Sequence, residues 1–205
     1  MTPGLRPARV DDLPHLQEVE VAAGILFAGI GMDSVADDPP PPLELLAAHQ
    51  AAGTAWVSVD DGDRPVGYAL ALEVDGLGHL EQLSVAPAAG RQGRGAALVE
   101  AVCAWASARG AKAVTLSTFL DVPWNAPYYE RLGFVVLAED ELTPGLLALR
   151  DHEIIGGLDV ARRAFMRRPL RAQPANATSM RSPRSRMPGS GSQSSSGARS
   201  KPSAS

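Results

Sequence analysis

Apolar residues recur at the spacing of an α-helix in the first part of this chain. After position 11 the apolar positions that follow this period are Leu13, Leu16, Val19, Ala23 and Leu26. Further helices are predicted over 43–52, 93–109 and 143–158, with a short one within 124–134. Gly53 and Gly110 are expected to end the first two of these further helices, because glycine commonly follows a helix.

Seven other stretches are typical of β-strands and are bounded by turn residues. They cover 5–10, 54–60, 66–74, 79–87, 112–120, 134–139 and 162–170. The predicted order begins with a strand and two helices, followed by three strands in a meander. Helices and strands then alternate to the end of the pattern. This order predicts a mixed α/β fold in which helices cover a central sheet.

The composition changes near position 172. From there to the end Ser, Pro, Gly and Arg dominate and apolar side chains are sparse, so the segment cannot bury enough surface to offset its ordering entropy. We therefore predict one folded domain over 1–171 and a disordered basic tail over 172–205. Residues 1–170 carry a formal charge of −10, and 171–205 carry +6.

The acidic body argues against nucleic acid as a partner, because nucleic-acid affinity depends on neutralising phosphates. An acidic surface suits a cationic substrate, although a solvated surface without function is the alternative. The acids that suggest a cationic substrate lie in the first predicted helix or soon after it and are Glu18, Glu20, Asp33, Asp37 and Asp38. The tripeptide Asp151-His152-Glu153 is interpreted as a solvated helix face, with lining of the pocket for that substrate as the alternative.

The scarcity of cysteines and of long apolar runs bears on the metal content and the cellular location of the protein. The single cysteine, Cys103, permits neither an internal disulfide nor a cysteine-rich metal site. The N-terminal residues lack an apolar run of signal-peptide length, and no run approaches the length of a membrane span. We expect a cytoplasmic protein without a metal or a membrane partner.

The stretch "RQGRG" at 91–95 places two glycines and two arginines directly before an apolar helical pattern. The first N–H groups of a helix have no partner inside it, and glycine lets a ligand approach them closely. The helix dipole and the arginines favour an anion such as a phosphate. A P-loop is a weak interpretation because no Lys follows the glycines, and a dinucleotide fingerprint is weak because Leu98 stands at its third small position.

Two motifs at a characteristic separation make the chain resemble the GCN5-related N-acetyltransferases (GNAT family). "QGRGAA" (92–97) matches that family's Gln/Arg-x-x-Gly-x-Gly/Ala signature, and "LSVAP" (83–87) resembles the end of its fourth strand. "WNAPYYERLGF" (124–134) resembles its next motif. The resemblance spans about 5–140 and has its specific core at 79–134. It implies a mostly antiparallel central sheet flanked by helices.

The resemblance also implies acetyl-CoA as cosubstrate. The backbone of the 92–97 loop would bind the pyrophosphate, with side-chain contacts from Gln92 and Arg94. The pantetheine arm would lie in a gap between the fourth and fifth strands, paired with the backbone of Leu83 and Val85. The cofactor-binding residues implied are Leu83, Ser84, Val85, Gln92, Gly93, Arg94, Gly95, Ala96, Ala97 and Asn125.

Glu81 is the candidate general base. It lies eleven residues before Gln92, where several members of the family place a glutamate, and strand alternation predicts that it shares a face with Leu83 and Val85. The alternative is a carboxylate that lies on the surface or only orients the substrate. His79 is the other candidate base. A histidine beside a turn is more often solvent-exposed or a local hydrogen-bonding residue.

Tyr129 is the candidate acid, because it lies five residues before Phe134, where the family places a tyrosine that protonates the departing thiolate. The alternative is a half-buried packing tyrosine. Tyr128 is interpreted as a packing or substrate-facing residue. Asn125 lies only four residues before Tyr129, a departure from the commoner spacing that leaves helix capping or cofactor contact open.

These residues favour an enzyme that acetylates a primary amine of a small molecule or a protein. A non-catalytic acyl-CoA-binding module needs the 91–98 loop but neither Glu81 nor Tyr129, and it is the alternative. A homodimer formed through an exposed final strand is a further expectation.

Overall fold

A seven-stranded sheet forms the centre of the protein. The computed structural model describes residues 4–171, so the predicted tail over 172–205 lies outside the described residues. The strands are β1 (Gly4–Pro7), β2 (Ala55–Val59), β3 (Pro65–Val74), β4 (Leu77–Val85), β5 (Ala113–Phe119), β6 (Val135–Val136) and β7 (Arg163–Pro169).

The strands follow the order β1-β2-β3-β4-β5-β7-β6. Every neighbouring pair is antiparallel except β4 and β5, which are parallel. The predicted three-strand meander is therefore confirmed as β2-β3-β4. The final strand, β7, lies between β5 and β6 and not at an edge of the sheet. The expectation that the final strand is an exposed edge is therefore wrong, because β6 pairs with Arg167 and Met166 of β7. A homodimer itself stays a prediction.

Six helices accompany the sheet. They are α1 (Leu13–Ala28), α2 (Asp33–Ala36), α3 (Leu43–Ala52), α4 (Arg94–Ala108), α5 (Ala126–Arg131) and α6 (Pro144–Ile155). The mixed α/β architecture is confirmed, and Gly53 and Gly110 follow α3 and α4 with positive φ. Helix α2 was not predicted, since one turn is too short to show an apolar period.

The core has two main parts, one on each side of the meander. Helix α4 packs Leu98, Val99 and Val102 against strands β3, β4, β5 and β7. Cys103 belongs to this cluster as a small apolar side chain, and its burial raises the pKa of the thiol to about 11. Helices α1 and α3 pack on β2 and β3 in a second cluster that includes Leu16 and Leu46.

The close contact of α4 with β4 depends on Gly78. A Cβ atom at this position would lie 2.7 Å from the Cβ of Ala106 and 3.3 Å from Cγ2 of Val114. We predict that Gly78→Ala lowers the free energy of unfolding by about 1–3 kcal/mol through overpacking. The matched control is Gly62→Ala in an exposed turn, where the nearest atom would be 3.4 Å away, with an expected change within about 0.5 kcal/mol. Urea unfolding measures both, and equal effects would contradict the packing account.

Candidate active site

Strands β4 and β5 separate part-way along their length. Their pairing covers only Gly78 to Leu80 of β4, opposite Val114 to Leu116 of β5, although β4 continues to Val85. The separation begins at a β-bulge. Leu70 of β3 pairs with Gln82, and the next residue of β3 pairs with Leu80, so that Glu81 is the extra residue. The backbone of β4 beyond the bulge therefore borders a gap on its β5 side.

The bulge changes the direction of the side chains that follow it. Leu80 before the bulge and Leu83 and Val85 after it all pack with the α4 cluster. Glu81 instead contacts His49 of α3, on the opposite face of the sheet. The prediction that Glu81 shares a face with Leu83 and Val85 is wrong, because one inserted residue shifts the alternation by one position.

Glu81 is held by a buried histidine. Its Oε2 lies 2.8 Å from Nε2 of His49, and Nδ1 of His49 lies 2.9 Å from Oγ1 of Thr54. The His49 side chain is 5 % exposed and that of Glu81 is 32 % exposed. Sequence reasoning missed His49. Its only signal was a polar residue three positions after the buried Leu46 on the same helix.

His79 is buried at the base of the gap and is not solvent-exposed. Its Nδ1 lies 2.9 Å from Oγ1 of Thr115, so the hydrogen-bonding alternative is confirmed, and its ring packs near Phe165. Burial lowers the pKa of His79 to about 4, against the opposing effect of the Glu81 charge. At neutral pH His79 is therefore uncharged and a weak base.

Tyr129 lies on α5, on the face of the sheet that α4 covers. It is half-buried, packs on Phe134 at 5.8 Å between ring centroids, and contacts the same cluster as Leu83 and Val85. Burial raises the pKa of Tyr129 above its ordinary value, and Tyr128 adds to this while Arg163 opposes it. The phenol therefore stays protonated at neutral pH, as a proton donor requires.

The loop before α4 has the backbone of an anion site. Arg91 and Gly93 have φ values of 55° and 76°, and the helix begins at Arg94. The N–H of Ala97 donates to the carbonyl of Gly93 at 3.0 Å, which is the first hydrogen bond inside the helix. The N–H groups of the three residues at 94–96 precede that bond and lie at the positive end of the helix dipole.

Three of the implied cofactor ligands, Arg94, Gln92 and Ser84, have other partners. The Arg94 guanidinium donates from Nη1 to Oγ of Ser58 at 3.0 Å and to the carbonyl of Val59 at 2.7 Å, and from Nε to Oε1 of Gln92 at 3.2 Å. Its side chain thus fastens the start of α4 to β2 and leaves its charge beside the loop. The Ser84 hydroxyl donates to Oε2 of Glu20 at 2.6 Å, on the face opposite the α4 cluster.

The residues of α5 meet this loop. A Cβ atom on Gly95 would lie 2.7 Å from the hydroxyl oxygen of Tyr128, so Tyr128 lies directly over the first turn of α4. Tyr128 therefore packs against the loop. Asn125 occupies the N-cap position of α5, but its side chain makes no capping hydrogen bond.

Comparison with known proteins identifies the family. The model of the acetyltransferase (GNAT) family matches residues 27–134, slightly more than half of the chain. The chain belongs to this family. The match includes Glu81, the loop before α4 and Tyr129.

Solved structures share the fold of this GNAT chain. N-acetylglutamate synthase from Neisseria gonorrhoeae, complexed with coenzyme A and N-acetyl-glutamate, has a TM-score of 0.62 and 20 % identity over 83 % of this chain and 36 % of that one. This chain thus spans about a third of that protein. PaiA N-acetyltransferase from Thermoplasma acidophilum, complexed with coenzyme A, has a TM-score of 0.60 and 15 % identity over 82 % and 99 % of the two chains. The ribosomal-protein-S18-alanine N-acetyltransferase from Escherichia coli has a TM-score of 0.56 and 20 % identity over 85 % and 98 %.

Two of the five acids that suggest a cationic acceptor for this GNAT chain, Glu18 and Glu20, have partners in or next to the sheet. Glu18 pairs with Arg64 at 2.7 Å. Glu20 accepts hydrogen bonds from Tyr68 at 2.5 Å and Gln82 at 2.8 Å, in addition to that from Ser84. These two carboxylates therefore hold α1 on the sheet. They are weak support for a cationic acceptor.

Glu153 departs from the predicted solvated face. It pairs with Arg163 at 2.9 Å, and the two side chains are 16 % and 14 % exposed. Both residues border a cleft between α6 and the strands β5 and β7, which also includes Ser117 and Phe165. Glu153 therefore does not lie on a solvated face, and the alternative that the tripeptide lines the acceptor pocket stays a prediction.

Two further features of residues 4–171 concern membrane spans and metal sites. None of the helices there is long and apolar enough to cross a membrane. In the same part of the chain, His, Cys, Asp and Glu side chains form no group of three or more that is suited to hold a metal ion.

Burial of His79 predicts a dependence of stability on pH. The unfolded chain protonates this residue near pH 6.5 and the folded chain near pH 4, so between these values the unfolded state binds more protons. The free energy of unfolding should therefore fall by up to about 3 kcal/mol as pH falls from 7 to 4. His79→Asn, which retains a polar atom near Thr115, should lose most of this dependence.

The matched control is His152→Asn, because His152 lies exposed on α6. It should keep the dependence on pH. Urea unfolding at pH 7 and pH 4 measures the difference for each variant. An unchanged difference in His79→Asn would show that His79 is not the group responsible.

Proposed function

We propose that this chain is an N-acetyltransferase that moves an acetyl group from acetyl-CoA to a primary amine by direct attack in a ternary complex. The separation of β4 and β5 at the bulge of Glu81 is the observation that carries the proposal. It leaves an extended backbone edge beside a carboxylate. Pantetheine amides suit such an edge, because they pair with a strand as an added strand does.

The cofactor loop supports the same proposal. A pyrophosphate is doubly charged, and the N–H groups of 94–96 lie at the positive end of α4 next to the Arg94 guanidinium. Gly95 leaves room that a side chain would fill, under the hydroxyl of Tyr128. Gln92 keeps its amide nitrogen near this loop, 3.5 Å from the carbonyl of Ala88. Gln92 and Tyr128 are thus placed to donate hydrogen bonds to phosphate oxygens.

The chemistry assigns one role to each face of the sheet. Glu81 removes a proton from the ammonium group, and the neutral nitrogen attacks the thioester carbonyl carbon in the gap. The C–N bond forms and the nitrogen loses its second proton to solvent. The C–S bond then breaks, and the sulfur leaves as a thiolate. Tyr129 on the opposite face donates its phenolic proton to that sulfur and later regains one from solvent.

Glu81 suits the base role better than His79 does. The Glu81 carboxylate is partly exposed beside the gap, whereas His79 is buried and bonded to Thr115. A bound water between Glu81 and the amine would serve the same function.

The acceptor is proposed as a primary amine of a small molecule or of a protein. A non-catalytic acyl-CoA-binding module is the second candidate, and it needs only the gap and the loop. The enzyme is favoured because a carboxylate and a protonated phenol lie near the same gap. A cytoplasmic location and self-association remain proposals.

Cofactor binding predicts a specific thermal shift. The melting temperature should rise much more with CoA or acetyl-CoA than with ATP or NAD, because ligand bound only to the folded state stabilises it. Gly95→Glu should abolish the shift, since it adds bulk and negative charge at the loop. Ala104→Glu is the control. It adds the same charge at an exposed position of the same helix and should retain the shift. Equal shifts with ATP would refute the assignment of the loop.

The roles of Glu81 and Tyr129 predict different kinetic signatures. Tyr129→Phe should lower kcat by about 10²–10⁴-fold with unchanged acetyl-CoA affinity, because it removes a general acid and little packing. Glu81→Gln should lower kcat/KM for the amine and remove the acidic limb of its pH profile. Raising the pH should partly restore Glu81→Gln, since more amine is then neutral, but it should not restore Tyr129→Phe.

Release of free CoA with a panel of primary amines measures these effects. If Glu81→Gln raises only the KM for the amine, with kcat and the acidic limb intact, Glu81 orients the substrate and is not the base. A wild-type chain that binds CoA but releases none from acetyl-CoA with any amine would favour the binding module.

A further inference from the structure

The buried contact of α3 with the bulge has no part in the chemistry described so far. Among residues 4–171, His49 is the only residue of α3 whose side chain forms an ion pair, and its partner is Glu81. The contact joins a helix packed on β2 to a residue two strands away. The contact between a buried histidine and a partly exposed carboxylate suggests that His49 has a role beyond packing.

We propose that His49 is a positioning residue for Glu81 and that the two contacts of its ring, with Glu81 and with Thr54, fix its tautomer. This inference rests on the proposed function, because it concerns the base of that reaction. In the neutral imidazole one ring nitrogen carries a proton and the other accepts one. If the Thr54 hydroxyl donates to Nδ1, then Nε2 carries the proton and donates it to Oε2 of Glu81.

The same geometry accommodates a protonated imidazole. The Thr54 oxygen also lies 3.3 Å from the carbonyl oxygen of His49. When Nδ1 is protonated, it donates to the Thr54 oxygen, and the hydroxyl proton turns to that carbonyl. The ring therefore keeps its partners whether it carries one proton or two. The proton removed from the ammonium group stays on Glu81 and passes from there to solvent, because Nε2 already carries a proton and Nδ1 faces Thr54.

Positioning matters at this bulge because a glutamate side chain has several rotatable bonds. The contact is made through Oε2, and Oε1 has no hydrogen-bond partner among the described residues. One oxygen is thus fixed while the other is free to accept the amine proton. Without His49 the carboxylate would have to be ordered by the substrate alone, at an entropic cost.

Two other titratable groups, Tyr68 of β3 and His79 of the same strand as Glu81, are affected by the Glu81 charge. Tyr68 is fully buried and donates to Glu20 of α1. Tyr68 is neutral because burial raises its pKa, and His79 is neutral because burial lowers its pKa. Among these three side chains, His49 is the one whose ring nitrogen contacts the Glu81 carboxylate directly.

The first test needs no activity. In the full-length chain labelled with ¹⁵N-histidine, NMR distinguishes the two tautomers, and His49→Gln assigns the signal of His49. We expect the Nε2–H tautomer in the neutral form. Glu81→Gln should shift the ¹⁵N signal of Nε2, because a neutral amide then replaces the carboxylate that faces this nitrogen. An Nδ1–H tautomer, or an Nε2 signal unchanged by Glu81→Gln, would overturn the proposal.

The second test is kinetic and uses the amine that gives the most CoA release. His49→Phe keeps the size of the ring but has no donor. It should lower kcat/KM for the amine by about ten- to a hundredfold, since a displacement of about 1 Å can cost 10²-fold. The acidic limb should move to higher pH, because the Glu81 anion loses a hydrogen bond. His49→Gln retains an N–H donor and should keep most of the activity.

Leu46→Val is the matched control for packing. Leu46 is fully buried one turn before His49 on α3, so this variant loosens the same helix without touching Glu81. It should lower the melting temperature and leave the acidic limb in place. If His49→Phe also leaves the limb in place, the role of His49 is structural and the proposal is wrong. If the wild-type chain has no activity on any amine, the proposed function is wrong, and so is the role of His49 as a positioning residue in that reaction. The NMR result then tests only whether His49 and Glu81 are paired.

Discussion

The bulge at Glu81 is the constraint on which the site depends. One extra residue in β4 ends the pairing with β5 after Leu80 and turns the side chain of Glu81 away from the face that α4 covers. A regular strand would continue the hydrogen-bonded ladder and leave no edge for an extended ligand. The gap and the position of the carboxylate therefore have one physical cause.

Close packing of α4 places the anion loop beside this gap. Gly78 lets Ala106 approach β4, and Arg94 fastens the first turn of the helix to β2. These two contacts fix both ends of the helix against the meander. The N–H groups at 94–96 are consequently held in place before any ligand binds, which lowers the cost of ordering the site.

Burial controls the proton-carrying groups around the gap. It raises the pKa of Tyr129 and lowers that of His79, and in both cases it favours the uncharged form. Tyr129 thus stays protonated, as its proposed role as an acid requires, and His79 stays neutral. In the proposed reaction the partly exposed Glu81, next to a histidine that contacts Thr54, exchanges protons with the incoming ammonium group.

Local patterns determined much of this protein. Helical periodicity predicted the four longer helices, the order of strands predicted the meander, and two motifs identified the family, because each of these signals lies within a short stretch of sequence. Only the tertiary structure decided which face Glu81 occupies, that His79 is buried, that β6 covers β7, and that His49 and Tyr128 reach the site. A bulge shifts a period by one residue without any local signature, and His49 meets Glu81 across 32 positions of chain. Such contacts depend on how separate elements pack, which no single stretch of sequence encodes.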